Sequence, residues 1–140
     1  MLTWEEWQEK SRSSLTAAQI LLEHDKPVES ASRSYYAAYQ MVTAVLTKLK
    51  LRPRSKYGNW AHHETVEMYR IHICQKADWG YKEKAALTKL RPFFWALLIK
   101  RYQADYDLDK SIDMLLSRTL YRDANRLIRL LENLIKRGLL

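Results

Sequence analysis

The chain has 140 residues, 47% of them hydrophobic, and 24 lysines and arginines against 16 acids give it a net charge of +8. That is enough apolar material for one packed domain over residues 1–140 and excludes gross disorder, while the charge points to an acidic partner such as RNA, a nucleotide or an acidic protein. A lone cysteine, Cys74, excludes an internal disulfide framework and fits a reducing cytoplasm, and no apolar run reaches the roughly 18 residues of a membrane span.

The first residues, Met1 to Trp7, lack a basic start followed by an apolar block, so no secretory signal is expected. Three glycines and three prolines leave room for few turns, which favours long helices. Thr3, followed by Glu5 and Glu6, reads as an N-cap with first-turn acids. Trp4, Trp7, Leu15, Ala18, Leu21 and Leu22 then recur at helical spacing, and the first helix should end near Asp25, before Lys26-Pro27. Pro27 suits the first turn of helix two, whose apolar face carries Ala31, Tyr35, Tyr36, Tyr39, Val42, Leu46 and Leu49.

Residues 48–59 read as a loop. Lys48, Lys50, Arg52, Arg54 and Lys56 repel one another and favour exposure, and with Tyr57 and Trp60 beside them they form a candidate surface for single-stranded RNA, where bases stack on rings. The alternative is a solvated loop whose aromatics pack back on the bundle. Ala61 to Lys76 reads as helix three, with Val66, Tyr69, Ile73 and Met68 inward. Asp78 to Tyr81 reads as a turn and residues 82–90 as a short helical piece. Pro92 should open the main part of helix four, from Phe93 to about Gln103. The apolar run from Phe93 to Ile99 predicts a central helix.

Asp107 or Asp109 is the expected cap of helix five, which should run to about Arg137 and stop at Gly138. Arg118, Arg122, Arg126, Arg129 and Lys136 fall within an arc of about 80° on this helix, opposite Leu116, Leu120, Leu127, Leu131 and Leu134. Such a stripe suits a phosphate backbone or an acidic protein, and is otherwise a solvated face. No strand alternation or internal repeat occurs. The fold class expected is all-α, an up-and-down bundle of about five helices.

Catalytic and cofactor motifs are scarce. There is no GxSxG, P-loop or GxGxxG. His72 and Cys74 sit two apart, on different helix faces, with no flanking CxxC or HExxH, so neither a metal nor a cofactor is expected. Cys74 reads as buried and inert, and Tyr35, Tyr36 and Tyr39 as core rings whose hydroxyls reach partners. The densest polar stretch is Arg101 to Asp107. Arg101 is the candidate phosphate ligand. Tyr106 is a phenol and a poor base at neutral pH. The structural alternative pairs Arg101 with Asp105 and docks Tyr106 in the bundle.

Ser34-Tyr-Tyr-Ala-Ala-Tyr39 and Arg101-Tyr-Gln-Ala-Asp-Tyr-Asp107 resemble the HEPN family, above all its small standalone prokaryotic members, and His62 or His63 matches their histidine near the third helix. The resemblance covers nearly the whole chain. It implies a helical bundle that dimerises and acts on RNA or a nucleotide. It also implies a partner of nucleotidyltransferase type in a toxin–antitoxin or defence pair. Active members carry an Arg followed, after four to six residues, by a His; here those positions hold Tyr106, Asp107 and Leu108. The expectation is therefore a binding module, with Tyr35, Tyr36, Tyr39, Asp105 and Tyr106 as structural motif residues. One alternative is a divergent metal-independent ribonuclease toxin, using Arg101 with His62 or His63. The other is a structural subunit that presents its arginines to an acidic protein.

Overall fold

The structure, a computed structural model, describes residues 1–56, 59–106 and 112–140. Among the described residues five helices follow one another: α1 Trp4–Glu23, α2 Pro27–Lys48, α3 His62–Met68, α4 Tyr81–Tyr106 and α5 Met114–Lys136. The all-α expectation holds, and among the described residues there is no strand. None of these helices is long and apolar enough to cross a membrane.

Local chemistry explains most boundaries. Thr3 and Glu6 form a reciprocal capping box at the start of α1, which satisfies two main-chain donors that a helix start leaves open. Pro27 opens α2, where its missing N–H costs nothing. Gly138 ends α5 with φ 74°: its N–H donates to the Ile135 carbonyl, and the Leu139 N–H donates to that of Leu134. That pairing is a Schellman close, and it requires the left-handed conformation that glycine adopts at little steric cost.

Three boundaries differ from expectation. The piece at 82–90 and the helix after Pro92 are one continuous helix, with Pro92 inside it. Pro92 and Thr88 both lie on the exposed side, so the carbonyl that the proline leaves unpaired faces water and the break is tolerated. Asp113 caps α5, accepting from the Leu116 N–H at 2.8 Å; Asp107 and Asp109 lie outside the described residues. Helix three changes its winding after Met68. Tyr69–Cys74 is π-helical, and the Gln75 N–H donates to the Arg70 carbonyl five residues back.

The winding change has a visible function. The Tyr69 hydroxyl and the Cys74 thiol both donate to the Leu87 carbonyl of α4, at 2.6 and 3.5 Å. Both residues are buried, as expected of Cys74, and burial pushes the thiol pKa up to about 11. The thiol is thus protonated and inert at neutral pH.

α1 and α2 make the most extensive contact between any two helices. It runs through small residues: Ser11, Ser14 and Ala18 are buried, while Trp4, Trp7, Leu15, Leu21 and Leu22 are only partly so. The Ser11 hydroxyl donates to the Ala37 carbonyl and that of Ser30 to the Ala18 carbonyl, both at 2.7 Å. The apolar side of α5 meets α2 as expected, with Leu120, Leu127, Leu131 and Leu134 buried and Leu116 partly buried. α4 departs from its expected central place. Phe94, Leu97 and Leu98 are buried, but Trp95, Ala96 and Ile99 face outward.

Asp113→Ala should cost about 1 kcal/mol, the usual worth of an N-cap. Leu131→Ala should cost about 2–5 kcal/mol, through a cavity in the core. Urea unfolding of both variants checks this; equal costs would show that the α5 cap is not a minor local term.

Candidate nucleic-acid interface and the Arg101–His62 cluster

Arg101 is 6% exposed, which places a guanidinium inside the bundle. A buried cation needs partners, and α2 and the last turns of α4 supply them. Its Nη2 donates to the Tyr36 hydroxyl at 3.1 Å. Its Nε lies 3.1 Å from an Asp105 oxygen, an ion pair at i,i+4 as the sequence suggests, although this N–H is not aligned for a hydrogen bond. The rings of Tyr35, Tyr36, Tyr102 and Tyr106 surround the guanidinium carbon, with centroids 4.8–5.9 Å away. Burial opposes the charge, but the Tyr36 hydroxyl and the Asp105 carboxylate outweigh it and raise the pKa. Arg101 therefore stays a cation.

The same cluster contains His62, contributed by the first turn of α3. Its Nδ1 lies 2.8 Å from the Tyr35 hydroxyl, and its ring packs against those of Tyr35, Tyr36 and Tyr39. The Tyr39 hydroxyl donates to the Trp60 carbonyl and so fixes the chain just before α3. The three tyrosines are core rings with occupied hydroxyls, as expected, although Tyr36 is only partly buried. His63, one residue on, is exposed.

Proton positions follow from satisfaction. The Tyr35 side chain is fully buried, and burial raises its pKa far above the usual value, so it keeps its proton. Among the described residues its hydrogen-bonding neighbour is His62 Nδ1. The phenol therefore donates there, and a neutral His62 carries its own proton on Nε2. Burial, and then the Arg101 charge, lower the His62 pKa, against a smaller opposing effect of Asp105. At neutral pH His62 is thus a hydrogen-bond donor with its basic nitrogen occupied.

The other candidates lie elsewhere. Arg118, Arg122, Arg126, Arg129 and Lys136 are exposed along α5, and none makes an ion pair or hydrogen bond among the described residues. Asp123, the nearest acid on this helix, is buried, and Glu132 pairs with Arg12 at 3.3 Å. Burial raises the Asp123 pKa against the opposing charges of Arg122 and Arg126, so the counter-charge to the stripe comes from a buried carboxyl and not from an ion pair. Lys50, Arg52, Arg54 and Lys56 are exposed, whereas Lys48 is partly buried over the Trp4 ring. Trp60 is 6% exposed, so it offers no face to a base beside this loop; Tyr57 lies outside the described residues. Tyr106 is 73% exposed rather than docked, because its ring leans on Tyr102 at the end of α4. Among the described residues no three His, Cys, Asp or Glu side chains converge to hold a metal ion.

A neutral His62 in the fold has a definite pH consequence. Its folded pKa is lowered, so the unfolded chain binds more protons between that value and the ordinary one near 6.5. The stability it contributes is fully present above about pH 6.5 and is lost as the pH falls through the folded pKa. His62→Asn should flatten that part of the stability curve. In NMR titrations the His62 midpoint should lie below about 6.5 and move up in Tyr35→Phe; an unmoved midpoint would show that the phenol does not donate to Nδ1.

No curated protein matches the chain. A family model does, the HEPN domain, over residues 4–138. With helix order, the tyrosines of α2 and the Arg101 motif in agreement, the chain belongs to the HEPN family, which associates it with an RNA-related or nucleotide-binding role in general.

Proposed function

We propose that this HEPN domain binds RNA, or a nucleotide, through its cationic surface without cleaving it. The exposed arginines of α5, none in an ion pair or hydrogen bond among the described residues, carry this reading. Four like charges on one helix line cost helix stability, and a polyanion would relieve that repulsion. The exposed cations of the 48–56 segment, Lys50, Arg52, Arg54 and Lys56, extend the basic surface. Arg101 and His62 add a preorganised pair of donors suited to a phosphate oxygen. The state of His62 supports binding over cleavage. A general base needs an open lone pair, and the lone pair of Nδ1 is taken by Tyr35.

A divergent ribonuclease remains the second reading, favoured by one observation. The fold brings His62 into the cluster of Arg101, although no histidine follows Arg101 in the chain at the required distance. Cleavage by this pair would require His62 to release Tyr35 and move its proton to Nδ1. Homodimerisation, and a nucleotidyltransferase partner in a toxin–antitoxin or defence pair, are supported by family membership. The third reading, an acidic protein docked on α5, draws on the same arginines.

Binding of labelled RNA should weaken steeply with salt while the RNA stays intact. Arg118→Glu, Arg122→Glu and Arg126→Glu together should lower both the affinity and the salt slope. Unchanged RNA affinity, with loss of an acidic protein partner, would support the third reading instead. RNA shortened by wild type, but not by Arg101→Ala or His62→Ala, would establish the ribonuclease.

A further inference from the structure

α4 leaves a line of large apolar side chains in solvent. Trp95, Ile99, Tyr102 and Tyr106 are 50%, 37%, 42% and 73% exposed, and at 100° per residue they fall within about 60° of one another. Beside Trp95, two adjoining hollows between α3 and α4 share Val66, Arg91 and Trp95; the larger encloses about 300 Å³ and is rimmed by His63 and Glu67. Pro92 lines the smaller one. Core packing does not account for this face, because the buried side of α4 is complete with Leu87, Leu90, Phe94, Leu97, Leu98 and Arg101.

We propose that this groove and ring line form a stacking track for unpaired RNA. A base lies on Trp95, its phosphate meets Arg91, and the strand continues over Tyr102 and Tyr106 toward Arg101. The proposal rests on the RNA-binding reading and names the form of RNA and the residues that grip its bases.

Three observations favour a nucleotide over a protein in this groove. First, three of the four exposed side chains are aromatic, and aromatic rings accept any base by stacking. Second, Arg91 makes no ion pair or hydrogen bond among the described residues, and the Glu67 carboxylate at the rim is occupied by Arg70. The Arg91 charge also acts on Glu67, but the hydrogen-bonded partner of that carboxylate is Arg70, so the Arg91 guanidinium keeps its donors open to a phosphate. Third, Tyr102 and Tyr106 are also walls of the Arg101 cage. A base resting on either ring would bring its backbone near the buried guanidinium and His62. Trp95 lies six residues before Arg101, about 9 Å along the helix, a short step for a single strand.

Binding of an unstructured RNA oligonucleotide is compared with that of an abasic ribose-phosphate chain of equal length. Trp95→Ala should weaken the RNA about tenfold and leave the abasic chain unaffected, and Trp95→Phe should retain most of the affinity. Arg91→Ala should weaken both and reduce the salt slope. Wild-type RNA affinity in Trp95→Ala, or an equal loss on the abasic chain, would overturn the track while leaving the RNA-binding reading intact. A dimer that dissociates in Trp95→Ala, with RNA affinity unchanged, would assign the face to a second copy of the chain and overturn the track as well. Absence of RNA binding by the wild-type protein at low salt would remove both.

Discussion

A positive charge held inside an apolar bundle is the constraint on which the junction of α2, α3 and α4 depends. A guanidinium taken out of water is costly unless it is paired and hydrogen-bonded. Arg101 meets that cost with one tyrosine hydroxyl, one carboxylate and four aromatic rings. Each partner then has to be held in turn. The two tyrosines of α2 must face α4, and Tyr35 must find an acceptor for its own proton. His62 is that acceptor, which ties the start of α3 to the cluster. The position of a short helix is thus set by the needs of a cation on a different one.

The cluster differs from a proton-transfer pair in the way its groups are engaged. Arg101 is held by Tyr36 and Asp105 with its Nε–H left unaligned, and His62 Nδ1 is taken by Tyr35. Committed donors are rigid, and rigidity favours recognition of a fixed anion. Catalysis by acid and base instead needs a group that changes its protonation at the working pH. The basic helix α5 has the opposite character, with long side chains in water and no ion pair to its stripe among the described residues. In the proposed reading, Arg101 and His62 would position a phosphate and the exposed α5 stripe would attract one.

Much of the fold was legible in the sequence because its signals are local. The Thr3–Glu6 box, Pro27 at a helix start, Gly138 at a helix end and the leucine side of α5 each act within one or two turns. The errors arose where tertiary context outweighs a local rule. Pro92 marks a helix start in isolation, yet it is tolerated inside α4 because its turn faces water. The buried serines of the α1–α2 seam carry no hydrophobic signal, yet their small size permits close approach, and Ser11 of α1 and Ser30 of α2 each donate to a carbonyl of the other helix. Trp60 looked like a stacking ring beside a basic loop, but its size is better used in the core. His62 shares a cluster with Arg101 across 38 intervening residues, and no spacing rule reveals that. A polar residue immediately before an apolar-periodic helix, with tyrosines on the preceding one, was the available hint.

The π-helical stretch Tyr69–Cys74 has a further consequence for the geometry of its contact with α4. It holds one residue more than an α-helix would use to close the same hydrogen-bonded ring. Downstream, Tyr69 and Cys74 are anchored to one carbonyl of α4; upstream, α3 carries His62. The extra residue lies between Tyr69 and Cys74 and acts as an angular offset between Cys74 and everything before it, worth about 100° of rotation about the helix axis. A chain lacking one residue of this stretch would keep the helix order and the Tyr69 bond to the Leu87 carbonyl, but would turn Cys74 away from that carbonyl. In this fold the extra residue thus sets the phase between two donors that share one carbonyl, a phenol at the start of the stretch and a thiol at its end.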